Sequence, residues 1–117
     1  MLLAIETSCD DSAVALLDME GNVLTNQISS QTELHEKYGG IVPELASRKH
    51  LTTLPLLLRH VFEEHDLDLS DLKAIAVTYA PGLIGSLLVG VSYAKSLSWQ
   101  AGVPLIPVDH LEGHLLA

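Results

Sequence analysis

The apolar and polar positions of this chain follow a period of two at first and a helical period later. Leu2 to Glu6 is a short apolar run, Ala13 to Leu17 a second, and Val23 to Ser29 a third of alternating character, so three strands are predicted. Asp18-Met19-Glu20-Gly21-Asn22 supplies the glycine and asparagine of a tight reversal, which makes the second and third strands antiparallel neighbours. Gln31 to Val42, with Gly39-Gly40, reads as a loop. From Pro43 onward Leu51, Leu54, Leu58, Val61 and Phe62 keep helical spacing along one face, and the proline suits a first turn. Pro55 falls inside that pattern, lacks a backbone donor, and is expected to bend or split the helix.

Lys73 to Tyr79 reads as a buried strand, and Ala80-Pro81-Gly82 as a turn into a helix from about Ile84 to Gln100, ended by Gly102 and Pro104. Ser86 and Gly90 are small residues one turn apart, allowing another backbone to come close. Leu87, Leu88, Val91, Ala94 and Leu97 make this helix apolar over much of its circumference, so cover on more than one side is expected. Val103 to Val108 is a further strand. Asp109 can cap the helix that follows, with Glu112 at its third position closing a capping-box-like pair. The order β-β-β-α-β-α-β-α describes an α/β domain in which a hairpin sheet is extended by parallel strands with helical crossovers. It is the order of a ribonuclease-H-like domain, the half-unit of the actin, Hsp70 and sugar-kinase (ASKHA) superfamily, with helices on the faces of a mixed sheet.

Composition adds to this picture. Charged residues make up 18% of the 117, against about 25% in an average domain, which fits a piece that packs on another domain or chain. His114-Leu115-Leu116-Ala117 breaks off inside a helical pattern with no stop signal, so residues 1–117 are not expected to be a whole protein. A net charge of −9 with six basic residues argues against a broad phosphate-binding face. Arg48, Lys49 and Arg59 read as solvated helix residues or as a local contact. The first residues lack a basic signal region, no apolar run reaches about 18 residues, and the lone Cys9 forbids an internal disulfide, which together predict a cytoplasmic protein with no membrane partner.

Three segments carry candidate chemistry. His110 and His114 stand four residues apart, so a helix places both imidazoles on one face, at the carboxyl end of a strand where open α/β sheets bind ligands. Taken alone, the pair reads equally as a metal chelate or as two solvated residues of a first turn. A catalytic metal usually takes three protein ligands, and no third lies nearby in sequence. His35, His50, His60 and His65 read as surface or satisfied histidines. Glu6-Thr7-Ser8-Cys9-Asp10-Asp11-Ser12 is dense in hydroxyls and carboxylates. Ser8 and the backbone amides could hold phosphate, and Asp10 or Asp11 a cation, or the segment is a solvated hairpin loop. Pro81-Gly82-Leu83-Ile84-Gly85-Ser86 puts glycines at a helix start without a phosphate-loop spacing, and tight packing explains them equally well. Cys9 has no basic neighbour to activate it.

Taken together, Ile5 to Asp11, the run Gly39-Gly40-Ile41-Val42-Pro43-Glu44-Leu45-Ala46-Ser47-Arg48-Lys49-His50, Ala80 to Gly90, and His110-Leu111-Glu112-Gly113-His114 closely resemble the tRNA N6-adenosine threonylcarbamoyltransferase (TsaD) family. The resemblance implies an acyltransferase that moves a threonylcarbamoyl group from threonylcarbamoyl-AMP to N6 of the adenosine just 3′ of the anticodon, releasing AMP. It implies that His110 and His114 bind one divalent metal, iron or zinc, completed by an aspartate in a C-terminal half. It also assigns Ser8, Asp10 and Asp11 to an acidic hairpin loop at the cleft. Many relatives have Glu-Thr where this chain has Asp11-Ser12. The implied partners are tRNA, a paralogous TsaB-like scaffold docking on the helices around 51–62 and 84–100, and a TsaE-like ATPase subunit, with a homodimer as the alternative where the scaffold is absent. The resemblance implies that residues 1–117 are the N-terminal ASKHA subdomain of a longer, two-domain protein, so this segment alone is expected to be inactive. Three other readings compete: the non-catalytic paralogous scaffold, which has no need of paired ligands at 110 and 114; an actin-like ATPase or sugar kinase; and a metalloprotease, for which Leu111 stands where the zincin glutamate belongs.

Overall fold

Strand β1 (Leu2–Glu6) is the centre of a five-stranded sheet in the computed structural model, which describes residues 1–116. Strand β2 (Ser12–Leu17) runs antiparallel beside it and β3 (Val23–Ser29) antiparallel beside β2. On the other flank β4 (Ala74–Ala80) and β5 (Leu105–Asp109) are parallel to β1, giving the order β3-β2-β1-β4-β5. This is the expected α/β arrangement of a hairpin extended by parallel strands. Register follows the alternation in the sequence. Leu3 pairs with Leu16 and Ile75, and Ile5 with Val14 and Val77, so one face is a continuous buried apolar layer. Between them Ala4 pairs with Ala15 and Ala76, which leaves small side chains on the opposite face.

Helices α2 (Pro43–Glu64) and α3 (Ile84–Ala101) cover the apolar face, packing on each other and on the sheet. Contrary to expectation, Pro55 does not split α2, which is assigned as one helix of 22 residues. Leu54, Leu58 and Val61 are locked in the core on either side of the proline, and that packing outweighs one missing backbone bond. The buried stripe of α2 is also displaced from the expected one. Leu51 is 55% exposed, and the inward position one residue earlier is taken by His50, which is fully buried.

The segment read as a loop from Gln31 to Val42 holds a one-turn helix α1 (Thr32–Glu36). Buried His35 secures it: Nδ1 accepts from the Val42 N–H (3.1 Å), Nε2 donates to Gln31 Oε1 (2.7 Å), and the Gln31 amide donates to the Ala46 carbonyl (3.3 Å). A 3₁₀ turn at Leu69–Asp71, capped by Asp68, is a second small addition. Helix α3 ends where predicted, at Gly102 in the left-handed region with φ +67°, whose N–H bonds the Ser98 carbonyl. It is covered on one side only among the described residues, for Ile84, Leu88 and Trp99 lie open. Strand β5 leads directly into α4 (His110–Leu116). Among the described residues no helix is long and apolar enough to cross a membrane.

Candidate metal centre

The carboxyl ends of the three parallel strands converge on one carboxylate. Glu6 closes β1, and its Oε2 accepts from the Thr78 hydroxyl of β4 (2.8 Å) and from His110 Nδ1, the first residue of α4 (3.0 Å). Its Oε1 accepts from the Ser8 backbone N–H. Burial pushes the Glu6 carboxyl up, but these bonds from Ser8, His110 and Thr78 together outweigh it and hold the group below its ordinary value. Asp109 caps α4 as expected, its Oδ1 accepting from the N–H groups of Leu111 (2.8 Å) and Glu112 (3.1 Å). The first turn of α4 is thereby fixed at the sheet edge.

The helical spacing of the two histidines does what the sequence reading required. His110 Nε2 and His114 Nε2 lie 2.9 Å apart, with the rings edge to face at a centroid separation of 4.5 Å. Because His110 Nδ1 donates to Glu6, its Nε2 carries the lone pair and points at His114. Two convergent imidazole nitrogens with a carboxylate behind the first are groups whose chemistry could hold a divalent ion. No group of three or more metal-ligating side chains occurs among the described residues. A cleft of about 280 Å³ opens beside it, lined by Glu6, Thr78, Val108, Asp109, His110, Gly113 and His114.

Ser8 joins this site: it is buried, its Oγ lies 3.3 Å from His110 Nδ1, and both residues line an adjacent hollow with Cys9, Pro81, Gly82 and Leu83. Asp10 lies elsewhere, in a hollow with His35, Glu36, Gly39, Gly40 and Ile41, and Asp11 is exposed. Burial and the neighbouring Asp10 raise the Cys9 thiol, which suits an unreactive cysteine. The glycines after β4 serve packing. A Cβ at Gly82 would overlap the Ser8 carbonyl, one at Gly85 the Ser47 hydroxyl, and one at Gly90 the Thr7 hydroxyl. Leu83 N–H donates to the Ser8 carbonyl (2.8 Å), tying this turn to the hairpin loop. His50 is satisfied on both nitrogens and His60 faces Glu64 at the surface, whereas His65 Nε2 is buried without a partner. Sequence reasoning did not single out Glu6 or Thr78. An acid ending an otherwise apolar strand was the available signal for Glu6, and Thr78 carried none.

The family model for TsaD, tRNA N6-adenosine threonylcarbamoyltransferase, matches residues 22–117. The chain belongs to the TsaD family. A tRNA N6-adenosine threonylcarbamoyltransferase of Fusobacterium nucleatum subsp. nucleatum is 50% identical over all 117 residues, and one of Streptococcus suis is 49% identical over the same span. The chain spans 34% and 35% of the length of these curated TsaD relatives. Among solved structures, YeaZ from Pseudomonas aeruginosa superposes with a TM-score of 0.71 at 24% identity, over 92% of this chain and 42% of that one. RuvC of T. thermophilus, in complex with a Holliday junction substrate, gives 0.53 at 9% identity, over 94% of this chain and 64% of that one. At such identities these two likenesses concern the fold alone, and they agree with the ribonuclease-H-like reading of this TsaD-family chain.

Proposed function

We propose that this chain is the histidine-bearing N-terminal domain of an enzyme that transfers the threonylcarbamoyl group from threonylcarbamoyl-AMP to N6 of the adenosine just 3′ of the tRNA anticodon. The observation that carries the reading is the convergence of His110 Nε2 and His114 Nε2, backed by Glu6, in a chain of the TsaD family. His110 and His114 hold one divalent ion, iron or zinc, with an aspartate from outside this chain completing the set. Bound there, the ion supplies Lewis-acid polarisation of the carbamoyl carbonyl. Glu6 fixes the His110 ring and its tautomer, Asp109 fixes the helix that carries both ligands, and Ser8 presents its hydroxyl beside His110 toward the donor. Asp10 and Asp11 continue the same hairpin loop, away from the histidine cleft.

The exposed apolar residues of α2 and α3 support docking of a TsaB-like paralogous scaffold there. Leu51, Leu56, Ile84, Leu88 and Trp99 each leave more than half of their surface open. A net charge of −9 supports tRNA contacts on other parts of the complex, which on this reading is cytoplasmic and includes a TsaE-like ATPase.

The test is modification of tRNA in cells that depend on the full-length protein. His110→Ala and His114→Ala are each expected to abolish threonylcarbamoyladenosine in digested tRNA while the protein still accumulates. Modification that persists with both histidines replaced would sink the metal role of the pair and favour the non-catalytic scaffold reading.

A further inference from the structure

We propose that His50 is a positioning residue for the metal cleft, clamping the β1–β2 loop so that Ser8 keeps its place against His110; this rests on reading His110 and His114 as a metal pair. His50 sits on α2, fully buried, and touches both ends of the loop. Its Nε2 lies 2.7 Å from the Cys9 carbonyl oxygen and its Nδ1 2.6 Å from the Ser12 hydroxyl. A carbonyl only accepts, so Nε2 carries the proton. Nδ1 therefore accepts from Ser12, and both polar atoms of the ring are used. The two anchored residues bracket Asp10 and Asp11, and the residue before Cys9 is Ser8.

Three further contacts grip the start of the loop only, which leaves its middle and far end to His50. The Ser8 N–H is held by Glu6, the Ser8 carbonyl by the Leu83 N–H (2.8 Å), and Thr7 Oγ1 donates to the Ser86 carbonyl (2.7 Å) while accepting from the Gly90 N–H (3.1 Å). All of these bonds hold residues 7 and 8. Among the described residues, the side-chain hydrogen bonds that tie Cys9 to Ser12 to another element of the fold both end on His50. A ring that fills its pocket and bonds at two points fixes a loop with little conformational freedom left over. Histidine at this position is thus explained by hydrogen bonding to the loop, for an apolar side chain would fill the core equally well and leave the Cys9 carbonyl and the Ser12 hydroxyl without partners.

The experiment compares the intact protein with His50→Gln, His50→Phe and Ser12→Ala. Glutamine keeps a donor near the Nε2 position, phenylalanine keeps only the volume, and Ser12→Ala removes one anchor without touching the core ring. Three quantities are read: amide exchange of residues 9–11, the nitrogen shifts of the His110 imidazole by NMR, and the Zn²⁺ dissociation constant. For His50→Phe, exchange at residues 9–11 is expected to rise at least tenfold, the untouched His110 ring to shift, and the Zn²⁺ dissociation constant to rise about tenfold, as loss of outer support does elsewhere. Glutamine should restore part of each change, and Ser12→Ala should show the loop effect even if His50→Phe fails to fold. Loop exchange and His110 shifts unchanged in Ser12→Ala and in a folded His50→Phe would overturn the proposal. Absence of Zn²⁺ binding in the unsubstituted protein would overturn the metal reading instead, while the exchange data still decide whether His50 holds the loop.

Discussion

His110 Nδ1 lies 3.0 Å from Glu6 Oε2, so the first residue of the last helix is oriented by the last residue of the first strand. The bond spans nearly the whole chain and sets which nitrogen of His110 faces the cleft. It follows that Glu6→Gln, which keeps the shape but replaces an acceptor oxygen with a donor, weakens Zn²⁺ binding by about 10–100-fold without loss of helix or sheet. Calorimetric titration beside a far-ultraviolet circular dichroism spectrum checks both halves of that statement.

Metal binding to the folded state alone must also raise thermal stability. At a free Zn²⁺ concentration a hundredfold above the dissociation constant the gain is about 2.7 kcal/mol. His114→Ala leaves His110 without its partner nitrogen, and the melting temperature should then no longer respond to Zn²⁺. An equal response in the variant would place the ion elsewhere.

The displaced stripe of α2 separates two leucines that look alike in sequence. Leu54 is fully buried and Leu51 is 55% exposed. Leu54→Ala should cost about 2–5 kcal/mol in urea unfolding, and Leu51→Ala should stay within about 0.5 kcal/mol. Equal costs would return the stripe to its periodic position.

At Gly90 the α3 backbone approaches β1 closely enough for its N–H to bond Thr7 Oγ1 at 3.1 Å. A methyl group there meets that hydroxyl, so Gly90→Ala is expected to destabilise the fold by about 1–3 kcal/mol through overpacking, despite alanine's better helix propensity. Denaturant midpoints with an unchanged slope would confirm a local clash.

The β2–β3 turn should make the hairpin acid-labile. Asp18 accepts from Asn22, through both its side chain and its backbone N–H, and from the Glu20 N–H, which holds its carboxyl below the ordinary 3.8. A carboxyl with a lower value folded than unfolded binds its proton less readily in the native state. Its contribution is present above pH 3.8 and fades as the pH falls through the lower native value. Asp18→Ala should therefore lower the urea midpoint at neutral pH and converge with the unsubstituted protein on the acid side.

Strands and long helices were legible because each repeats a simple period over many residues, and the sheet order followed from the hairpin signal and the crossovers. What escaped was decided by single polar side chains. Helix α1 stands on His35, whose side-chain partners are Gln31 and Val42, with Gln31 in turn bonded to the Ala46 carbonyl, and no window of hydrophobicity contains that network. His50 took an inward position beside Leu51 because the Cys9 carbonyl and Ser12 hydroxyl wait there, 41 and 38 residues away. At the site the histidine pair was visible as a helical spacing. Glu6 and Thr78 act across 104 and 72 residues, through contacts that exist only once the parallel strands are aligned.

Both oxygens of Glu6 are engaged, one by Ser8 and the other by Thr78 and His110, and Asp109 spends Oδ1 on two backbone N–H groups. These are the two carboxylates lining the histidine cleft. Glu6, so well supplied with donors, is a feeble proton acceptor and is not poised as a general base. This wall of the cleft orients and polarises. In the proposed transfer, Glu6 is therefore not the group that takes the proton shed by the attacking amine.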